Sequence, residues 1–237
     1  MKRVLVTGST QGIGKALATA FVKNGYEVIV HCSKDLDKAE RIKNEIGAHK
    51  AVVCDLASMQ EVDSLFNKTG GVDVLILNAS VQYKEPWQNV TEETFDKQFD
   101  INVKSTFKLI QSYMPSMKEN GFGRIVTIGT VNQFRQHLEL PIYSATKCAV
   151  KKLIEVIAKD VAPYGVTLNN VAPGAIKTPR NQDAYDNEEI RKKVESCIPM
   201  GRFGEPEDCV GAVLMLCSEQ GAYITGTDII IDGGMKL

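Results

Sequence analysis

Tyr143 and Lys147 stand four residues apart in a stretch, Ile142 to Val161, whose apolar spacing predicts a helix. That spacing puts both side chains on one helical face. A free phenol titrates near about 10, too high for useful proton exchange at neutral pH, and an ammonium beside it favours the phenolate. Lowering a phenol by about three units takes about 4 kcal/mol of differential stabilisation, within reach of close charges in a partly dry site. Such a pair acts as general acid in reducing a carbonyl or as general base in oxidising an alcohol. Alone, a Tyr-xxx-Lys pair is more often a packed ring beside a lysine that reaches for solvent. The reading therefore depends on what the rest of the chain brings to the pair.

The second chemical signal is Thr7-Gly8-Ser9-Thr10-Gln11-Gly12-Ile13-Gly14, lying between an apolar strand, Arg3 to Thr7, and a helical pattern, Gly12 to Asn24. Glycines permit a tight turn and let backbone N–H groups approach a pyrophosphate closely. The helix N-terminus adds partial positive charge where the phosphates would sit. A bare strand-to-helix turn uses glycine too, but strand before and helix after favour a nucleotide.

Strand-like and helix-like segments alternate along the rest of the chain. Further strands are predicted at Val28 to His31, Ala51 to Cys54, Val72 to Leu77, Arg124 to Ile128, Val166 to Val171 and Asp228 to Ile231. Helices are predicted at Asp37 to Ile46, after a Ser58-Met59-Gln60-Glu61 capping box, from Glu92 to Met117, and from Glu207 to Cys217. The strands are apolar without in/out alternation, so both sheet faces are covered. Right-handed crossovers then give an α/β fold, an open doubly wound parallel sheet with helices on both faces. Such a sheet binds ligands at the carboxyl ends of its strands, where the strand order reverses. No linker or repeat divides residues 1–237, so one dinucleotide-binding and catalytic domain is expected. The least regular stretch, 178–205, with Pro179, Pro199, Gly201 and Gly204, is expected to form a mobile substrate flap.

With Gly8, Gly12 and Gly14 spaced Gly-xxx-Gly-x-Gly, the chain resembles the classical short-chain dehydrogenase/reductase family. Other matches follow in order: Asn78-Ala79-Ser80 where the family has Asn-Ala-Gly, Asn102-Val103, Tyr143-xxx-Lys147, Pro173-Gly174-Ala175-Ile176-Lys177-Thr178, and Asp232-Gly233-Gly234. The resemblance covers essentially the whole chain. It implies a Rossmann-like fold and hydride transfer between a nicotinamide dinucleotide and an alcohol or carbonyl compound. It also implies that Tyr143 is the general acid/base and Lys147 its partner. Asn102 would help hold a water that links Lys147 to solvent. The residue thirteen before the tyrosine, serine in the family, is Thr130 here. Threonine keeps the hydroxyl that orients the substrate oxygen, and its methyl trims the pocket. Ser80 stands where the family has glycine; its Cβ crowds the nicotinamide ribose unless the backbone keeps a negative φ. Cofactor contacts are implied for Gly8, Ser9, Thr10, Gly12, Ile13, Gly14, Asp55, Leu56, Asn78, Ala79, Ser80, Tyr143, Lys147, Pro173, Gly174, Ile176 and Thr178.

An acidic residue ending the second strand would bind ribose hydroxyls and repel a 2′-phosphate. The chain has His31-Cys32-Ser33-Lys34 there, and Ser33 with Lys34 favour NADP over NAD. Asp35 reads as the cap of the next helix. Arg135, Gln136, His137, Arg180 and Asn181 make the mouth polar, which leans toward a sugar or polyol. The Val194 to Gly201 stretch resembles the flap of the family's bacterial glucose dehydrogenases, and much of the remainder resembles its 3-oxoacyl reductases.

Composition narrows the alternatives. Lys plus Arg number 28 against 29 Asp plus Glu, so no field favours nucleic acid or an anionic membrane. No apolar run is long enough for a membrane span. The six cysteines form no CxxC pair and the three histidines lie apart, so no metal site is expected and the thiols fit a reducing cytoplasm. A small-molecule substrate and a homo-oligomer, dimer or tetramer, are expected; apolar Val150, Leu153, Ile154 and Ile157 would suit subunit pairing and equally a core. A competing reading is a dinucleotide-sensing binding protein that kept the fold without turnover. Loss of Tyr143 or Lys147 would have favoured it.

Overall fold

A computed structural model describes residues 1–237. In chain order the elements begin β1 (Arg3–Val6), α1 (Gly12–Lys23), β2 (Glu27–Cys32), α2 (Leu36–Ile46), β3 (Lys50–Val53), α3 (Met59–Thr69) and β4 (Val74–Leu77). They continue α4 (Glu92–Phe99), α5 (Ser105–Glu119), β5 (Gly123–Ile128), α6 (Pro141–Val161), β6 (Val166–Pro173), α7 (Gln182–Asp186), α8 (Glu188–Glu195), α9 (Val210–Cys217) and β7 (Asp228–Ile231). The seven strands form one sheet in the order β3-β2-β1-β4-β5-β6-β7, every pair parallel. The order reverses between β1 and β4, so their carboxyl ends, Thr7-Gly8 and Asn78, lie side by side. That edge is where a doubly wound sheet opens its crevice.

Both sheet faces are buried, which is why the strands lack alternation. On one face α3, α5 and α6 cover Leu5, Leu75, Ile125 and Leu168; on the other α1, α2 and α9 cover Val4, Val6, Ile76, Val126 and Val171. Val150 and Ile154 of α6 belong to the first of these cores, with Ile157 packed against it. Those two positions are therefore used inside the subunit; the exposed apolar residue of α6 is Val156.

Local chemistry refines three elements. The helix predicted over Glu92 to Met117 is two helices joined by a wide turn at Asp100–Lys104. Ser105 Oγ donates to the Ile101 carbonyl and Thr106 Oγ1 to that of Asn102, at 2.6 and 2.9 Å. Side-chain hydroxyls that take carbonyls four residues back loosen the backbone ladder and favour such a bulge. Ser58 caps α3 by accepting the Glu61 N–H, but the Glu61 carboxylate accepts from Asp55 N rather than closing the box on Ser58. The flap stretch 178–205 contains α7 and α8, the latter capped by the Asn187 side chain. Its prolines and glycines bound short exposed helices rather than a structureless loop.

Candidate active site

One cleft of about 510 Å³ runs along the carboxyl edge of the sheet from the glycine loop to the 178–205 stretch. Every residue expected from the sequence to do catalysis or contact the cofactor lines it except Ser9, Lys34 and Asn102; of the residues expected at the mouth, His137, Arg180 and Asn181 line it and Arg135 and Gln136 do not.

The loop end is built from backbone. Gly8 and Gly12 take positive φ, 63° and 53°, which a side chain would strain. A Cβ on Gly14 would lie 2.3 Å from the Gly8 carbonyl oxygen, so only glycine lets α1 start this close to β1. The N–H groups of Gly12, Ile13 and Gly14 find no acceptor in the chain. They face the cleft at a helix N-terminus, the arrangement that fits a dinucleotide's pyrophosphate. Asn78 Nδ2 donates to the carbonyls of Thr7 and Gly8, and Thr7 Oγ1 accepts from Asn78 N and Ala79 N, which locks β1 to β4. His31 lies beneath, almost wholly buried. Its Nδ1 accepts the Gly8 N–H at 3.0 Å, so Nε2 carries the proton toward the Cys54 carbonyl at 3.1 Å. Burial holds this imidazole down at about 4, against weaker opposition from its backbone hydrogen bonds. Ser9 belongs to this bolting as well: its N–H goes to the His31 carbonyl and its Oγ accepts the His31 N–H. Its polar groups are therefore committed inside the loop, away from the cleft.

The reacting end is built from side chains. Tyr143 and Lys147, one turn apart on α6, are 5 % exposed each. Lys147 Nζ donates to the Ile128 carbonyl at 2.6 Å and lies 5.7 Å from the Tyr143 ring centre. The cation in contact with the phenol is Arg180, whose Nη1 stands 3.4 Å from the phenol oxygen. Its Nη2 donates to the Ser80 carbonyl at 2.7 Å and to Ser80 Oγ at 3.1 Å. Burial raises the Tyr143 phenol, while the Arg180 charge and polar contacts from Ser80, Arg180 and Thr130 oppose it. Burial, then Arg180, pushes the Lys147 ammonium down to about 7. The expected charge on Lys147 is thus itself poised near neutrality, because a buried ammonium with one carbonyl partner is poorly solvated. Ser80 keeps a negative φ, since every positive φ in the chain belongs to glycine, so its backbone adopts the geometry its side chain needs.

Thr130 follows β5 and is fixed by Gln133, whose Oε1 accepts the Thr130 N–H and whose Nε2 donates to the Lys147 carbonyl. Asn102 sits behind the cleft in the wide turn. Its amide oxygen accepts the Val81 N–H, and its amide nitrogen donates to the Val81 carbonyl and Thr146 Oγ1. It therefore braces the segment after β4 against α6.

At the far end, Asp35 caps α2 by accepting from Lys38 N, as its position suggested. Lys34 is exposed and pairs with Asp55 at 3.1 Å, outside the cleft lining. Burial pulls the Asp55 carboxyl up, but the Ala57 N–H and Lys34 outweigh it and hold it below the usual range. The lysine that does line the cleft is Lys38, bonded to Gln11 Oε1 at 2.9 Å. Lys38, Gln133 and the phenol contact of Arg180 were not singled out from the sequence; for Lys38, its place one turn into the helix after β2 was the available signal.

The chain matches the family model described as enoyl-(acyl carrier protein) reductase over residues 8–236. It is 36 % identical over 240 residues to the 3-oxoacyl-[acyl-carrier-protein] reductase of Aquifex aeolicus, covering 98 % of this chain and 96 % of that one. It is 32 % identical over 241 residues to the human dehydrogenase/reductase SDR family member 4, covering 98 % and 87 % respectively. The fold superposes with TM-score 0.92 and 35 % identity on a 3-oxoacyl (acyl-carrier-protein) reductase of Agrobacterium tumefaciens C58 with NADP bound, covering 98 % and 93 %.

Proposed function

The chain belongs to the short-chain dehydrogenase/reductase family, nicotinamide-dependent oxidoreductases acting on CH–OH or C=O groups, and from that premise we propose that Tyr143 exchanges the proton while Lys147, Thr130 and Asn102 support it. The observation that carries this reading is a buried phenol in the floor of the cleft, with Lys147 one helical turn on and Thr130 across from it. The bound nicotinamide supplies or accepts the hydride. The Thr130 hydroxyl orients the substrate oxygen, and Tyr143 gives that oxygen its proton during reduction or removes it during oxidation. Lys147, poised near neutral pH, passes charge between the phenol and solvent. Asn102 keeps the Val81 segment at its distance from α6.

The cofactor proposed is NADP(H), with NAD(H) bound less well. Support comes from the NADP held by the Agrobacterium relative and from Ser33 and Lys38 in the cleft where an acidic residue would select NAD. A homo-oligomer, dimer or tetramer, is part of the proposal and rests on exposed apolar Val156 and Phe107 on α6 and α5. A cytoplasmic setting is proposed from six cysteines that are all free thiols. Residues 1–237 act as one unit, with the 178–205 stretch as the element that moves over the substrate.

Tyr143→Phe tests the mechanism. It should lower kcat by about 1000-fold or more while the cofactor dissociation constant, read by NADPH fluorescence, stays within about twofold. Unchanged turnover would remove Tyr143 from the reaction. A pure dinucleotide sensor would show cofactor binding with no turnover of any alcohol or carbonyl compound.

A further inference from the structure

Arg180 is the cation nearest the reacting centre that no acid neutralises. None of the chain's carboxylates lies within ion-pair distance of it. It contacts the Tyr143 phenol oxygen and the Ser80 carbonyl and hydroxyl, all uncharged groups. A guanidinium carries five donors in a planar fork shaped for a carboxylate, so this one has capacity left on its cleft side. The cleft's other charges point the same way. Lys84 lines the mouth without an ion-pair partner, whereas the one carboxylate in the lining, Asp55, lies at the opposite end and is taken by Lys34. Arg180 and Lys84 therefore bring positive charge to the mouth without ion-pair partners, while the Glu139 carboxylate acts there on His137 from outside the lining, and a neutral sugar or alcohol would leave the Arg180 charge unpaired.

We propose that the substrate is a hydroxy or oxo acid whose carboxylate is held by Arg180, attached at the reacting carbon or at the carbon beside it. This rests on the oxidoreductase reading above and narrows its substrate class. The position follows from the 3.4 Å between Arg180 Nη1 and the phenol oxygen. One substrate must offer its carbonyl oxygen to the phenol and its carboxylate to the adjacent guanidinium, which only a short separation allows. In the reducing direction the carbonyl carbon gains the hydride from the reduced nicotinamide, its oxygen takes the Tyr143 proton, and the carboxylate is unchanged. The products are the hydroxy acid and the oxidised dinucleotide. Arg180 is then a specificity-determining contact, and the sugar reading of the polar mouth gives way to an anionic one.

The experiment compares charged acids with neutral counterparts, with NADPH and NADH: 2-oxobutyrate and 3-oxobutyrate against their methyl esters, with gluconate and glucose in the oxidising direction. Arg180 is exposed in the free chain, so the pair is only partly desolvated, and wild-type enzyme should reduce at least one oxo acid with a kcat/KM about 10-fold or more above its ester. Arg180→Gln should erase that preference by raising the KM for the acid, Arg180→Lys should restore part of it, and the NADPH dissociation constant should stay within about twofold in both. Esters or glucose turned over as well as the acids would overturn the assignment and leave the oxidoreductase reading standing. An Arg180→Gln effect that falls on NADPH affinity instead would reassign the residue to the cofactor and overturn it equally. Failure to bind either dinucleotide would overturn both readings together.

Discussion

At the glycine-loop end of the cleft nearly every polar side chain is bonded to backbone: Asn78 to Thr7 and Gly8, His31 to Gly8 and Cys54, Ser9 to His31. At the mouth Lys84, His137 and Arg180 line the cleft, and Arg180 and Lys84 find no acid. On the proposed reading the first end meets the cofactor, a ligand that is always the same, through N–H groups whose positions the sheet edge dictates. The second end is proposed to meet the substrate with side chains standing on short exposed helices and loops, where exchange of one residue costs the fold little. Rigidity is concentrated where the ligand is invariant, and charge is left available where the ligand is chosen.

Replacing a glycine at each end breaks that comparison most sharply. Gly14→Ala sets a methyl 2.3 Å from the Gly8 carbonyl, and the backbone on both sides is pinned. Cofactor affinity should fall by about 100-fold to 1000-fold, as overpacking displaces the N–H groups that meet the pyrophosphate. Gly201, in the 178–205 stretch, also has a positive φ of 68° but nothing within 4 Å of a new Cβ. Gly201→Ala should cost about 1 kcal/mol of stability from backbone strain and leave NADPH binding as it was. Titration of both variants with NADPH, beside urea unfolding, checks the pair. Equal losses of affinity would mean that the two ends are not separately built.

The same contrast explains what was legible in the sequence. The glycine loop could be read because tight turns leave few residue choices, and Tyr143 with Lys147 because a four-residue spacing on a helix fixes a shared face. The strand pattern gave the doubly wound sheet because burial on both faces removes alternation. The wide turn at Asn102 was hidden inside a continuous helical pattern, since hydroxyls at Ser105 and Thr106 act on carbonyls without altering periodicity. Arg180 was visible as a polar residue of the mouth, but its contact with Tyr143 joins residues 37 positions apart through a stretch with no period to follow. Gln133 and His31 were silent for a similar reason: Gln133 reaches the Lys147 carbonyl of α6, and His31 the backbone of Gly8 and Cys54, pairings that no local period announces.

His31 offers a second way to sharpen the comparison, through pH. Its folded-state value of about 4 lies below the ordinary 6.5, so the unfolded chain binds a proton first as pH falls. Stability contributed by the neutral ring is full above about 6.5, declines between 6.5 and about 4, and levels off below. The decline should amount to about 3 kcal/mol. In the folded chain the ring charges only as pH falls through about 4, and once charged it cannot accept the Gly8 N–H, so NADPH affinity should weaken near that value and not at 6.5. Urea unfolding at pH 7, 5 and 4 should show His31→Gln flatter than wild type across that window. Parallel curves would mean that the loop is not supported through this ring.

The smallest expected effect concerns which lysine reads the adenosine ribose. Position in sequence favours Lys34, directly after the second strand. Geometry favours Lys38: it lines the cleft and is held over it by Gln11, while the Asp35 cap fixes the helix turn that carries it. Lys34 is already paired with Asp55, and an exposed pair of this kind contributes little to binding another anion. A 2′-phosphate near Lys38 gains a charge-assisted contact in partly screened surroundings, worth about 1 kcal/mol. Lys38→Ala should therefore lower the ratio of NADPH to NADH affinity by about fivefold, and Lys34→Ala by less than about twofold. The difference should shrink as salt is raised, because the contact is electrostatic and near solvent. If Lys34→Ala gives the larger change, its pairing with Asp55 must open when a dinucleotide binds, and the loop end would then share the adaptability assigned above to the mouth alone.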